Sequence, residues 1–299
     1  MKLESAIAEY LISLRAERGL AANTAAAYRR DLDQYRDHLA SVGIDTVEAV
    51  DGDAVSEFVV ALTERGLAAT TIARKVAATR GLHRFLVAEE MATADPTALV
   101  ASPKRKAGIP KALSIDEVER LLEAASGESA VAARDTALLE FMYASGARVA
   151  ETVGLDVLDL DLDESTALVT GKGSKQRLVP LGSPAVAALR KYLERRLELK
   201  GDRPDPGALF LSTRGNRLTR QSVWQLVRKY AKAAGLDPGK VSPHVLRHSV
   251  ATHMVEGGAD LRTVQEMLGH ASISTTQVYT RVSPRHLYEI YVESHPRGN

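Results

Sequence analysis

The chain has no cysteine among its 299 residues. That excludes disulfides, thiolate nucleophiles and cysteine-ligated zinc or iron–sulfur centres. It leaves the redox compartment open, because a chain without thiols suits either state. No apolar run approaches the ~20 residues of a membrane span. The start, MKLESAIAEYLISL, lacks a basic segment followed by an apolar stretch, so no export signal is read and a cytoplasmic chain without a membrane partner is expected. A charge excess is missing too. Lysine and arginine number 39 against 38 acids, a formal net charge of +1. Overall charge therefore gives no argument for nucleic acid, and any DNA surface must come from local sorting of charge. No repeat or low-complexity tract is present.

With 45% hydrophobic residues over this length, one or two domains with real cores are expected. The N-terminal third reads as four helices. The first, over 3–18, puts Leu3, Ile7, Tyr10, Leu11 and Leu14 on one face and ends at Gly19. Asn23 or Thr24 can cap the second, with Tyr28, Leu32, Tyr35 and Leu39 inward. Asp51 can cap the third (Val55, Phe58, Val59, Leu62), and Thr70 or Thr71 the fourth (Ile72, Val76, Leu82, Phe85, Leu86). A fifth short helical turn is expected after Pro96. The polar faces carry Arg29 and Arg30, then Arg74, Lys75, Arg80 and Arg84. Singly these read as solvated surface; together with the polar residues at the helix starts they can line phosphates.

Residues 101–112, ASPKRKAGIPKA, hold Pro103, Gly108 and Pro110 without apolar periodicity and read as an extended linker. Lys104, Arg105, Lys106 and Lys111 are either a solvated loop or a strap over a phosphate backbone. The domain boundary is placed near residue 107, giving units 1–107 and 108–299. Beyond it, Ser114 and Glu117 form a capping-box pattern. A helix runs through Asp135 to Tyr143 and breaks at Gly146, with Arg148 and Glu151 on one face of a short helix. Segments 167–170 and 177–181 flank a glycine-bearing turn that holds Lys172 and read as a hairpin; 208–211 is a third candidate strand. Helices follow at about 184–199, 219–234, 243–257, 260–268, 274–281 and 284–292. The expected fold is mostly α in two domains, a helical bundle followed by an α+β domain with a small antiparallel sheet.

The chemistry-bearing residues gather late. Segment 242–280, SPHVLRHSVATHMVEGGADLRTVQEMLGHASISTTQVYT, holds His244, Arg247, His270 and Tyr279 in an otherwise apolar-periodic helical run. Cutting a phosphodiester needs a nucleophile, stabilisation of the non-bridging oxygens and a proton for the leaving oxygen. Arg148 and Arg247 suit the second task, because a guanidinium fork matches two phosphate oxygens. His244, one turn from Arg247, and His270 can donate further bonds. Lys172 can serve as general acid, and Tyr279 as nucleophile once nearby cations and a base activate it. Taken alone, Arg148 reads as a salt-bridge residue and Tyr279 as packing. His248 and His253 read as buried structure. As a metal site the three histidines of that helix are incomplete, since no Asp or Glu sits inside their span.

The set in order resembles the tyrosine recombinase family. NTAAAYRRDL (23–32), GARVAE (146–151), GKGSKQRLVPL (171–181), SPHVLRHSVATHM (242–254) and GADLRTVQEMLGHASISTTQVYT (258–280) are similar to the bacterial Xer branch, and GADLR with the overall length resembles one of its two paired members more than the other. The resemblance covers the whole chain. It implies a SAM-like core-binding bundle of four or five helices and a catalytic domain, clamped around double-stranded DNA. Tyr279 would form a 3′-phosphotyrosine, and exchange would pass through a Holliday junction. Arg148, Arg247, His244 and His270 would bind the phosphate, Lys172 would protonate the leaving oxygen, and Glu151 would support them. No metal, nucleotide or other cofactor would be needed. Asn23, Thr24, Arg29, Arg30, Thr71, Arg74, Lys75, Lys104, Arg105, Lys175, Arg177 and Arg220 are the expected DNA contacts. A C-terminal exchange helix at about 284–293 (Leu287, Ile290, Tyr291, Val292) would dock in a groove of the neighbouring protomer. A XerC-like partner in a heterotetramer and a septal DNA translocase as activator would serve resolution of chromosome dimers at cell division. A phage or transposon integrase has the same chemistry but often adds an arm-binding domain before the core-binding one; this chain begins directly with its core-binding helices. A non-catalytic DNA-binding protein is disfavoured by the six catalytic positions.

Overall fold

The computed structural model describes residues 1–18, 22–98, 100, 112–171, 174–269 and 284–298. The chain divides into two compact units, Met1–Gly108 and Ile109–Asn299.

The first unit packs α1 (Leu3–Arg18), α2 (Ala22–Ser41), α3 (Gly52–Glu64) and α4 (Ala69–Ala88) around one core. Leu3, Ile7, Leu14, Leu32, Tyr35, Leu39, Phe58, Leu62, Val76 and Leu82 fill it, the periodic positions of the four helices. Asp51 caps α3, accepting a hydrogen bond from the Ala54 amide at 2.8 Å. The other two expected caps are corrected. Helix α2 already includes Ala22, so Asn23 and Thr24 lie in its first turn. Helix α4 starts after Ala68, with Thr70 and Thr71 inside it and no side-chain cap. In both cases alanine precedes the polar pair and extends the helix backwards, because it has the highest helix propensity. The expected fifth helix is a turn: Thr97 donates from its amide and its hydroxyl to Asp95 at 2.8 and 2.6 Å.

The second unit holds α5 (Ile115–Glu123), α6 (Ala130–Ser145), α7 (Val149–Gly154), β1 (Leu160–Asp161), β2 (Thr166–Thr170), β3 (Gln176–Pro180), α8 (Ser183–Lys200), α9 (Arg220–Ala233), α10 (Pro243–Glu256), α11 (Leu261–Leu268) and α12 (Pro284–Ser294). The capping box of α5 forms in both directions: the Glu117 amide donates to Ser114 Oγ and the Ser114 amide donates to Glu117 Oε2. Helix α6 is buried almost all round and forms the axis of the core. It stops at Gly146, whose φ of +56° is left-handed; a Cβ there would sit 2.4 Å from Leu268 Cδ2.

The sheet is antiparallel in the order β1-β2-β3, with Val169 opposite Arg177 and Leu168 opposite Leu178. Segment 208–211 is not its third strand. Ala208 and Leu211 form only isolated bridges, to Asp156 and Arg217. These four residues are all buried. Their backbone is held by Tyr192, which donates to Leu209 O, and Arg196, which donates to Ala208 O. A continuous apolar run with no alternation is a core crossing here, and the third strand is the short β1. Helix α12 packs on its own unit, against α10 and β3. Tyr291 is fully buried and its hydroxyl accepts from the Gly182 amide at 3.0 Å. Past the helix, Arg297 pairs with Glu140 at 2.9 Å.

Candidate active site

Three arginines from three elements converge on the C-terminal end of α11. Arg177 Nε donates to Met267 O at 3.0 Å, Arg247 Nη2 to Leu268 O at 2.6 Å, and Arg148 Nη2 to Gly269 O at 3.1 Å. The last carbonyls of a helix have no partner within it and carry the negative end of its dipole, so cations are favoured there. Gly269 makes the turn possible: its φ is +70°, and a Cβ would lie 3.1 Å from the Arg177 guanidinium carbon. His270 follows directly in sequence.

Local rules place each arginine. Arg148 is the N-cap residue of α7, which begins after the Gly146 break, and Glu151 is in the first turn. Arg247 comes from α10, started by Ser242, which accepts from the Val245 amide. Its Nη1 also donates to Gly146 O at 2.6 Å, so the carbonyl at the end of α6 fixes the fork. Arg177 comes from β3, on the face opposite Leu178.

Glu151 is buried and saturated. Its Oε2 accepts from the Arg148 amide at 2.8 Å and Arg177 Nη2 at 2.9 Å; its Oε1 accepts from Arg148 Nη1 at 3.0 Å and Arg177 Nη1 at 3.1 Å. Burial works to raise this carboxyl's pKa, but the bonds from Arg177 and Arg148 outweigh it and hold it below the ordinary value. Arg247 is 8% exposed. Burial first, then repulsion from Arg148, lowers its pKa to about 10, with Glu151 working against and Arg177 adding to the shift. It still carries its proton at neutral pH. Two of the three guanidiniums thus bond one carboxylate while Arg247 rests on backbone carbonyls, and such a cation excess is the electrostatic form of an anion site.

His244 is exposed in the first turn of α10, one turn before Arg247. The other two histidines of that helix separate. His253 is buried, bonded to Tyr143 Oη at 2.9 Å and to Leu113 O at 2.7 Å, and is structural. His248, expected to be buried, is exposed.

Two expected DNA contacts are corrected. Lys75 is 5% exposed and donates to Asp31 Oδ1 and to Gln34 Oε1, each at 2.8 Å. It is an internal tie between α2 and α4. Arg177 is committed to Glu151 and α11. Arg74 also bonds Asp31 but keeps a partly exposed side chain. Thr24, Arg29, Arg30, Lys175 and Arg220 are exposed, and Thr71 is half-buried. Lys104, Arg105, Lys172, His270, Tyr279 and the Asn23 side chain lie outside the described residues, as do the linker at 101–111 and the helix expected at 274–281. The signal for Arg177 was available in the alternation of β3, where Arg177 and Val179 share the inner face.

The family described as "Phage integrase family" matches residues 111–286, and "Phage integrase, N-terminal SAM-like domain" matches residues 7–90. The chain belongs to the phage integrase family and is a tyrosine-type site-specific recombinase. Its likeness is to the Xer branch and to XerD in particular. It is 49% identical to tyrosine recombinase XerD of Mycobacterium tuberculosis over 302 residues, covering 97% of this chain and 96% of that protein. It is 47% identical to XerD of Bifidobacterium longum over 298 residues, with the same coverage of 97% and 96%. Among solved structures, the XerH site-specific recombinase bound to palindromic difH substrate in a post-cleavage complex matches with a TM-score of 0.70 and 27% identity, over 85% of this chain and 75% of that one.

Proposed function

We propose that the protein cuts and rejoins duplex DNA at a specific site through Tyr279, and that it resolves chromosome dimers during segregation and cell division. The observation that carries this reading is the meeting of Arg148, Arg177 and Arg247 on successive carbonyls of α11 around the single carboxylate Glu151. Arg148, Arg247, His244 and His270 hold the scissile phosphate. The Tyr279 oxygen bonds to phosphorus as its proton passes to a base. The bond from phosphorus to the 5′ oxygen breaks, and Lys172 gives that oxygen a proton. The products are a 3′-phosphotyrosine and a 5′-hydroxyl; that hydroxyl attacks the 3′-phosphotyrosine of the cleaved partner strand, expels its tyrosine, which takes up a proton, and leaves a Holliday junction. Arginines lower the barrier by binding charge that grows on the equatorial oxygens. Glu151 and Arg177 hold Arg148 in place.

Exposed Thr24, Arg29 and Arg30 of the first unit, with Lys175 and Arg220 of the second, are the proposed DNA contacts, joined by Lys104 and Arg105 of the linker between units 1–107 and 108–299. A XerC-like recombinase completes a heterotetramer, a septal translocase activates it, and the protein works in the cytoplasm. The XerD relatives and the DNA-bound XerH structure support the recombinase reading and the DNA partner.

Tyr279→Phe tests the chemistry on a nicked suicide substrate. Wild type traps as a covalent adduct, and the variant binds the same DNA but leaves none. A covalent adduct with Phe at 279 removes Tyr279 from its role.

A further inference from the structure

The catalytic hairpin has a second face. Along β3, Arg177 points inward to Glu151 while Leu178 points outward and is 51% exposed. Leu178 stands opposite Leu168 in the register of β2 and β3. With Leu160, Leu158 and Tyr288 of α12 they line an open groove of about 820 Å³ on the outer side of the sheet. Leu158 is 96% exposed, a nearly free leucine at the groove mouth. A partner side chain that removed it from water would gain the full hydrophobic effect.

The rim fixes the partner's chemistry. Residues 156–166 read DVLDLDLDEST, with leucine and aspartate alternating and no base. Asp159, Asp161, Asp163 and Glu164 all line the groove. Arg190 pairs with Asp163 at 2.8 Å. Among the described residues, Asp159, Asp161 and Glu164 have no cationic partner. Uncompensated carboxylates in a tight arc repel phosphate, so this face rejects nucleic acid. They attract lysine and arginine, and the leucines between them take apolar side chains.

We propose that this groove is a docking surface for a basic amphipathic segment of a partner protein, one that alternates lysine or arginine with apolar side chains. The segment would lie across the back of the hairpin whose front holds Arg177. The docking itself does not depend on the catalytic role given to Lys172.

The test uses the full-length protein and two labelled synthetic peptides, one alternating lysine with leucine and one alternating glutamate with leucine, read by fluorescence anisotropy. The variants are Leu158→Ser, Leu178→Thr and Glu164→Lys. All three sites are exposed, so folding is not at stake, and cleavage of a nicked DNA substrate checks that each variant keeps basal activity. The expected result is saturable binding of the lysine peptide, weakened about ten-fold or more by Leu158→Ser and by Glu164→Lys, reduced by added salt, and absent with the glutamate peptide. Equal binding of the lysine peptide to wild type and all three variants overturns the proposal, as does no binding at all. Concentration-dependent self-association that Leu158→Ser abolishes also overturns it, because the occupant is then a second copy.

Discussion

The two units each bury charge, and they do so to opposite ends. In the first, Lys75 of α4 donates to Asp31 and Gln34 of α2, and Arg74 also bonds Asp31. Lys75 bonds two internal acceptors and is buried, so it is closed to a ligand. Such a pair adds little net stability over apolar residues of equal volume, but removing one partner leaves the other buried and uncompensated. In the second, Glu151 satisfies Arg177 and part of Arg148, while Arg247 rests on two carbonyls and is crowded by like charge. The first arrangement is closed. The second carries an excess of cations. Burial of a charged side chain is therefore no mark of a functional site; an imbalance among buried charges is.

The largest effect expected is at Arg247. Arg247→Ala removes a proposed phosphate clamp and strands the Gly146 and Leu268 carbonyls. Single-turnover adduct formation should slow by about 10²–10³, ~3 kcal/mol or more. Arg247→Lys should not restore it, since one ammonium cannot span both carbonyls and a phosphate. Next is Lys75→Ala, which leaves buried Asp31 with Arg74 alone and should cost about 3 kcal/mol in urea unfolding followed by circular dichroism. Asp31→Asn with Lys75→Met should be near wild type. Cleavage per folded molecule should hardly change in either. If Lys75→Ala slows a still-folded enzyme as much as Arg247→Ala, the contrast between the two clusters fails.

The smallest effect is in acid. The folded pKa of Glu151 lies below its unfolded value, so its contribution is complete above the ordinary glutamate value of about 4.3 and disappears as pH falls through the folded value. Melting temperature measured from neutral to acid pH should fall more steeply there for wild type than for Glu151→Gln. Parallel curves would mean that Glu151 is not held by Arg148 and Arg177.

Legibility followed sequence distance. The Ser114–Glu117 box, the Asp51 cap and the Gly146 stop each involve groups within a turn of one another, and all were readable. Helix starts at Asn23 and Thr70 were misread because alanines before them extend the helix. Segment 208–211 looked like a strand because a buried run is apolar whether it pairs or crosses a core. Lys75 looked like surface because its partner Asp31 is 44 residues away. Arg177 looked like a DNA contact because Glu151 is 26 residues away.

By itself, the sequence determined the helix periods, the hairpin and, through the ordered motifs that resemble one family, the class of chemistry. Only the tertiary structure decided which cations are spent on internal partners and which are left for a ligand. That choice depends on where the opposite charges and helix-end carbonyls come to rest, and on how much water remains around them, neither of which is written in local spacing.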